Sequence, residues 1–321
     1  MALQEVLMTT VVALSGAGLW TIYRMRSTQG RRPSSVAVRP GWCTDFGHDA
    51  WGAWADWRLG EAVQRFRWCP PGEFWMGSPE SEAGRRPNEG PVHRVIVPLG
   101  FWLGDTPVTQ SLWEAGGGAN RSRYRSATRP VELVSWGDVQ AWLTRVNGGQ
   151  TPGFRLPVEA EWEYACRGGT RTATYAGDLQ ILGTNNAPVL DEIAWYCGNS
   201  GVGWDLDPAA GTDTSTWPEK QHQHERAGTR PVKAKRPNAF GLYDMLGNVW
   251  EWCMDPVRPY SASDWRVGDE VLEPANDHAE RVFRGGSWLD PARYARAAYR
   301  DHDRPGFSDV DLGFRLARGQ G

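Results

Sequence analysis

Nineteen tryptophans in 321 residues, set among 38 glycines and 22 prolines, constrain this chain more than any other feature. Tryptophan buries a large apolar ring but needs a partner for its N–H. Glycine and proline punctuate helices and strands with turns. Together they predict a loop-rich fold pinned by aromatic plugs, not a regular bundle or a doubly wound sheet. The length suits one large domain or two small ones. With 40% hydrophobic and 23% charged residues the composition is that of a globular protein. A formal net charge of −3 gives no bulk reason to expect a nucleic-acid partner.

The five cysteines, Cys43, Cys69, Cys166, Cys197 and Cys253, are odd in number, scattered and never spaced as CxxC. That argues against a disulfide framework or a structural zinc site and fits a reducing compartment. One apolar stretch runs from Leu7 to Tyr23. No Lys or Arg precedes it, and Arg24, Arg26, Arg31 and Arg32 follow it. It lacks the basic start of a secretory signal. A membrane anchor, a peripheral helix and a flexible leader all remain open. As a span it would keep the body of the protein in the cytoplasm, tethered to the inner membrane through residues 7–23.

Residues 1–40 therefore read as an apolar segment followed by an Arg/Ser/Pro linker. Residues 41–65 form a Trp-rich extension, expected as a short helix packed on a domain at 66–321. Helices are expected near Thr109, after Ser135 and after Pro157. The second has Val139, Trp142, Leu143 and Val146 at helical spacing. Short strands are expected at His93–Val97, Arg281–Arg284 and Phe314–Ala317. Residues 173–236, rich in Gly, Asp, Thr and Pro, read as a long loop tract. The expected class is α+β with few helices and long irregular loops.

Seven segments carry a resemblance. They are WCPPGEFWMGSP at 68–79, GFWLGDTPVTQSLW at 100–113, RPVELVSWGDVQAWL at 129–143 and FRLPVEAEWEYACRGGT at 154–170. RPNAFGLYDMLGNVWEWCMD at 236–255, RVFRGGSW at 281–288 and DLGFRLAR at 311–318 complete the set. In this order they resemble the formylglycine-generating-enzyme, or sulfatase-modifying-factor, family over roughly residues 66–318. The resemblance implies a C-type-lectin-like fold with a small twisted antiparallel sheet. It also implies a structural calcium site on Asp244, Gly247, Val249 and Glu251, the middle two through main-chain oxygen. Without metal the same residues read as a hydrogen-bonded loop. Gly241, Gly247, Gly285 and Gly286 are expected at turns with unusual backbone angles.

The family's oxidases hold copper(I) on two cysteines shortly after the RGGS element, soft sulfur for a soft ion. Here Asp290 and Ala295 stand at those positions, and no cysteine follows Cys253. No copper is expected, and a binding protein is favoured over an oxidase. An iron-dependent branch of the family uses a His-rich motif in an N-terminal helical bundle. The only close pair here, His222 and His224, lies in the polar run EKQHQHER and reads better as a solvated loop. Asp290, Asp301, His302 and Asp303 have the residue types of an acid/base set, with a charged surface loop as the alternative.

Residues 289–311 contain no Lys, Glu, Gln, Met or Trp. Pro291, Ala292, Arg293, Arg296, Ala297, Ala298, Arg300 and Arg304 read as framework. Leu289, Asp290, Tyr294, Tyr299, Asp301, His302, Asp303, Phe307, Asp309, Val310 and Asp311 read as interchangeable surface choices. This pattern is similar to the variable region of proteins diversified by retroelements, in which adenine-specific mutagenesis of AAC-type codons excludes those same residue types. The resemblance implies a diversified ligand-binding face within 288–315, with an unknown protein or small molecule as partner. Trp288 is either a pocket wall or core. The alternative is a family member with a fixed face, regulatory or an oxidoreductase of unassigned chemistry.

Overall fold

The computed structural model describes residues 9–13, 20–24, 37–148, 153–268 and 278–320, with side chains from residue 37 onward. Two strands, β1 (Thr9–Ala13) and β2 (Trp20–Arg24), pair antiparallel from Thr9↔Arg24 to Ala13↔Trp20. The described parts of the apolar stretch are thus strands rather than a helix, in keeping with the β-branched Thr9, Thr10, Val11, Val12, Thr21 and Ile22. No helix among the described residues is long and apolar enough to cross a membrane. Most of the Arg/Ser/Pro linker lies outside the described residues.

Residues 37–321 form a separate compact unit. Its first sheet contains β3 (Asp45–Asp49), β4 (Gly52–Leu59), β5 (Ala62–Cys69), β8 (Phe101–Gly104) and β16 (Ala317–Arg318), in the order β16-β8-β5-β4-β3. Residues 41–65 are therefore not a helix: they supply the two outer strands β3 and β4 and the start of the central strand β5. Alternation decides it: Ala53 and Ala55 point to the core at 6% and 0% exposure. Turns at Gly52 and Gly60, both at positive φ, reverse the chain. Gly47 lies flat against Trp54, where a Cβ would sit 2.6 Å from the indole.

A second sheet has the order β14-β13-β11-β15, built from β11 (Trp250–Pro256), β13 (Arg281–Arg284), β14 (Arg300–Asp303) and β15 (Leu312–Phe314). A third joins β6 (Gly72–Met76), β7 (His93–Val97) and β12 (Trp265–Arg266). The two-residue strands β9 (Thr212–Asp213) and β10 (Arg226–Ala227) are the only strands in the long loop tract. Pairing is antiparallel except for β11–β15 and β7–β12. The strand expected at Phe314–Ala317 is split. The chain leaves one sheet after Phe314 and joins the other at Ala317, with the buried guanidinium of Arg315 at the crossing.

Three α-helices lie among the described residues: α1 (Gln110–Ala115), α2 (Trp136–Asn147) and α3 (Glu159–Arg167). The Thr109 side chain caps α1. A Ser135–Asp138 capping box starts α2, and Gly148 in the left-handed region ends it. Two indole N–H groups inside the domain find carbonyls: Trp142 donates to Trp113 O at 2.9 Å and Trp252 to Val134 O at 3.1 Å. The four glycines expected at unusual angles, Gly241, Gly247, Gly285 and Gly286, all have positive φ.

Candidate functional site

The C-terminal segment is fixed from below by arginines. Arg284 and Arg296 are fully buried and Arg300 nearly so. Arg296 clasps Glu89 through two contacts of 2.6 and 2.8 Å and reaches Glu82 at 2.6 Å. Arg300 bonds both oxygens of Glu159 at 2.8 and 2.7 Å. Arg284 joins Glu159 at 3.0 Å, pairs with Glu163, and donates to Ala297 O at 2.7 Å. Helix α3 supplies Glu159 and Glu163, and the 80–89 loop supplies Glu82 and Glu89. Buried guanidinium–carboxylate pairs of this kind demand a fixed geometry, because losing one partner strands a charge.

Above this framework lie the side chains expected to vary. Leu289, Tyr294, Asp301, His302, Asp303, Asp309 and Val310 are half-exposed, and Phe307 is exposed; Asp290 is half-exposed as a residue but turns its carboxyl inward onto Ser287. Contacts join several of them into one surface. Tyr294 stacks on Tyr299 at 4.3 Å, and Arg86 lies over both rings. Arg86 also donates to the Tyr294 hydroxyl at 2.9 Å and approaches Asp301 at 3.5 Å. On the edge strand β14, His302 Nδ1 lies 2.9 Å from Glu280. Leu289 and Val310 pack against the buried cluster of Tyr124, Ala227 and Trp288.

Two residues expected at the surface, Tyr299 and Asp311, are elsewhere, and Trp288 takes the second of its two expected places. Tyr299 is fully buried, wedged between Tyr294 and Trp250. Asp311 is buried at 8% exposure and bonds the Ser287 hydroxyl at 2.6 Å. Trp288 is fully buried, edge-on to Tyr124 at 5.2 Å and stacked on Trp217 at 6.0 Å, so it is core. The residue types of one segment cannot reveal such contacts with residues elsewhere in the chain. Among the framework residues, Arg293 and Arg304 are exposed rather than anchored. Arg86 belongs to this surface, and the buried Trp250 backs it, but neither carried a signal in the 289–311 pattern.

At the family's sulfur positions, Ala295 is buried and Asp290 faces Ser287, whose hydroxyl lies 2.7 Å from its Oδ2. Burial, then the charge of Asp311, pushes the Asp290 carboxyl far above the usual range. Burial does the same to Asp311. The sequence order hid one neighbour. Cys197 lies beside this point, its thiol donating to Leu289 O at 2.9 Å and its amide to Asp290 O at 3.0 Å. Burial, then Asp290, raises that thiol. A single protonated sulfur bonded to a main-chain carbonyl does not make a copper(I) site.

The calcium expectation meets a different arrangement. Both oxygens of Glu251 are taken, by Arg315 at 2.7 to 3.1 Å and by the Trp162 indole N–H at 2.7 Å. Arg315 also reaches the Asp244 carbonyl at 3.3 Å. The Asp244 carboxylate accepts from Lys233 N and from Asn248 Nδ2. Gly247 and Val249 sit in the same loop, with the Gly247 amide on Gly285 O. A guanidinium thus holds the Glu251 carboxylate and two N–H donors hold that of Asp244, so both carboxylates a dication would need are already engaged, and the arrangement does not fit calcium. His222 and His224 face apart: His222 contacts Asp191 at 3.0 Å, whereas His224 touches Thr214 and Cys197 O. Burial lowers His224 to about 4.

Fold and site together define a lectin-like scaffold whose redox position carries no sulfur pair. The sulfatase-modifying factor enzyme 1-like domain matches residues 61–320, and the chain belongs to that family. It is 32% identical to the formylglycine-generating enzyme of Mus musculus over 236 residues, covering 70% of this chain but only 53%, about half, of that enzyme. It is 31% identical to the inactive C-alpha-formylglycine-generating enzyme 2 of Bos taurus over 232 residues, covering 69% and 60% of the two chains. Among solved structures it is similar to Treponema denticola variable protein 1, at 26% identity and a TM-score of 0.63, over 83% of this chain and 99% of that one.

Proposed function

We propose that this chain is a ligand-binding protein whose C-terminal surface, within 289–311, is diversified by retroelement mutagenesis. One observation carries the reading. Arg296 and Arg300 hold the segment from beneath through buried carboxylates, while Asp301, His302, Asp303, Phe307 and Asp309 project from it without supporting the core. Such a surface can change residue by residue at little cost in stability. Tyr294 and Phe307 supply apolar contact area at low entropy cost, and the aspartates and His302 supply adaptable polar contacts. The likeness to a variable protein over nearly its whole length supports the same reading. The absence of a thiolate pair at Asp290 and Ala295 argues against copper-dependent oxidation of cysteine.

The test is to sequence codons 284–318 across a natural population and search the neighbouring DNA for a near-copy of this stretch. Substitutions should concentrate at the codons for the projecting residues and spare Arg284, Arg296, Arg300 and Arg315. Variation no greater than in flanking codons, with no near-copy, would overturn the diversified reading.

A further inference from the structure

We propose that the cavity between α2 and the 116–121 loop is a binding site for a small carboxylate that carries an apolar group. The cavity measures about 210 Å³. Trp113, Leu133 and Val134 form its apolar part, and Arg121, Asp138 and Arg145 its charged part. It does not draw on the side chains of 289–311, so it stands independently of the diversified surface.

The apolar part is rigid. Trp113 stacks on Trp142 at 5.7 Å, accepts its N–H, and donates its own to Ala119 O at 3.1 Å. Gly118 lies against the Trp113 ring so closely that a Cβ would sit 2.3 Å from it. Leu133 has φ 58°, a left-handed conformation costly for a γ-branched side chain, and its amide is tied to Asp309 O at 2.9 Å. Residues held in such conformations cluster at binding sites, because the surrounding structure must support the strain.

The charged part is unbalanced. Arg145 forms no ion pair among the described residues; its Nε donates to Gly116 O at a long 3.4 Å. Arg121 reaches Asp138 Oδ1 at 3.5 Å with most of its side chain in solvent, a pairing worth little. The other oxygen of Asp138 is committed to Ser135 at the start of α2. The lining thus sets two guanidinium groups against one carboxylate, whose Oδ2 is committed to Ser135 and whose Oδ1 meets only Arg121, which leaves Arg145 without an ion pair among the described residues. A guanidinium fork matches a carboxylate in shape and charge, so an anionic head fits at Arg145 while an apolar body lies toward Trp113.

Benzoate is the probe, titrated into the full chain labelled with ¹⁵N, with the Trp113 indole signal assigned through Trp113→Phe and heats read by calorimetry. Benzoate should saturate and shift that signal, and benzyl alcohol, of nearly the same shape, should bind at least about tenfold more weakly. Arg145→Gln should weaken benzoate about tenfold with an unchanged unfolding midpoint. Ala141→Phe, on the helix surface lining the cavity, should abolish binding while keeping both arginines. Three results would each overturn the proposal: no saturable shift, equal affinity for the alcohol, or benzoate binding untouched by Arg145→Gln. Acetate competing as well as benzoate would show a bare surface charge contact and overturn it too.

Discussion

Asp290 and Asp311 meet at one hydroxyl: Ser287 Oγ lies 2.7 Å from the first and 2.6 Å from the second. That hydroxyl has one proton and can donate to only one carboxylate. The other short contact needs a proton on the second acid, so the pair retains one while buried. Both folded pKa values are raised by burial, whereas the unfolded chain releases its protons in the ordinary carboxylate range. Stability is therefore greatest on the acid side and falls as pH rises out of that range through the raised values. Glu132, buried and pushed up to about 8, adds a slope of the same sign.

The contribution of the pair is isolated by comparing wild type with Asp290→Asn in urea unfolding at about pH 5.5 and about pH 8.5. Wild type should lose more stability across that interval, with at most about 1.4 kcal/mol per pH unit for the one proton. Identical pH dependence in the two proteins would show that Asp290 titrates normally.

Framework and surface should respond to substitution on different scales. Arg296→Met leaves Glu82 and Glu89 without their cation inside the protein, at a cost of about 3–5 kcal/mol. Asp301→Ser and Phe307→Ser should each stay within about 0.5 kcal/mol. Chemical denaturation reads all three. A mild Arg296→Met would mean that the segment is not held from beneath.

Calcium should not stabilise the protein, because Arg315 already engages Glu251 and the Asp244 carbonyl. Added calcium and added chelator are expected to leave the melting temperature where it was. A saturable rise with calcium would show that the guanidinium gives way to the ion.

Copper(I) competition assays should find no stoichiometric site in wild type. The double variant Asp290→Cys, Ala295→Cys restores paired sulfur at the same backbone positions and should acquire one. Tight copper in wild type would point to Cys197, which lies against Asp290.

Motif order and helix chemistry made the fold readable: Ser135 and Asp138 announce α2, and the alternation of His93–Val97 announces β7. The 41–65 extension was misread because its tryptophans suggested plugs, while the turn glycines at 52 and 60 mark strands. The segment 289–311 was legible as a surface, but not its depth. Tyr299 and Asp311 are buried by Trp250 and Ser287, residues far along the chain or in another turn. The same distance hid Cys197 beside Asp290, and no local pattern predicts that Arg315 closes on Glu251 across a sheet junction.

A saturation library over 289–311, displayed and sorted for folded protein, tests most directly whether a fixed framework carries a tolerant face. Asp301, His302, Asp303, Phe307 and Asp309 should accept nearly every residue, while Arg296, Tyr299 and Arg300 should accept almost none. Uniform tolerance along the segment, or intolerance concentrated at the five projecting positions, would contradict it.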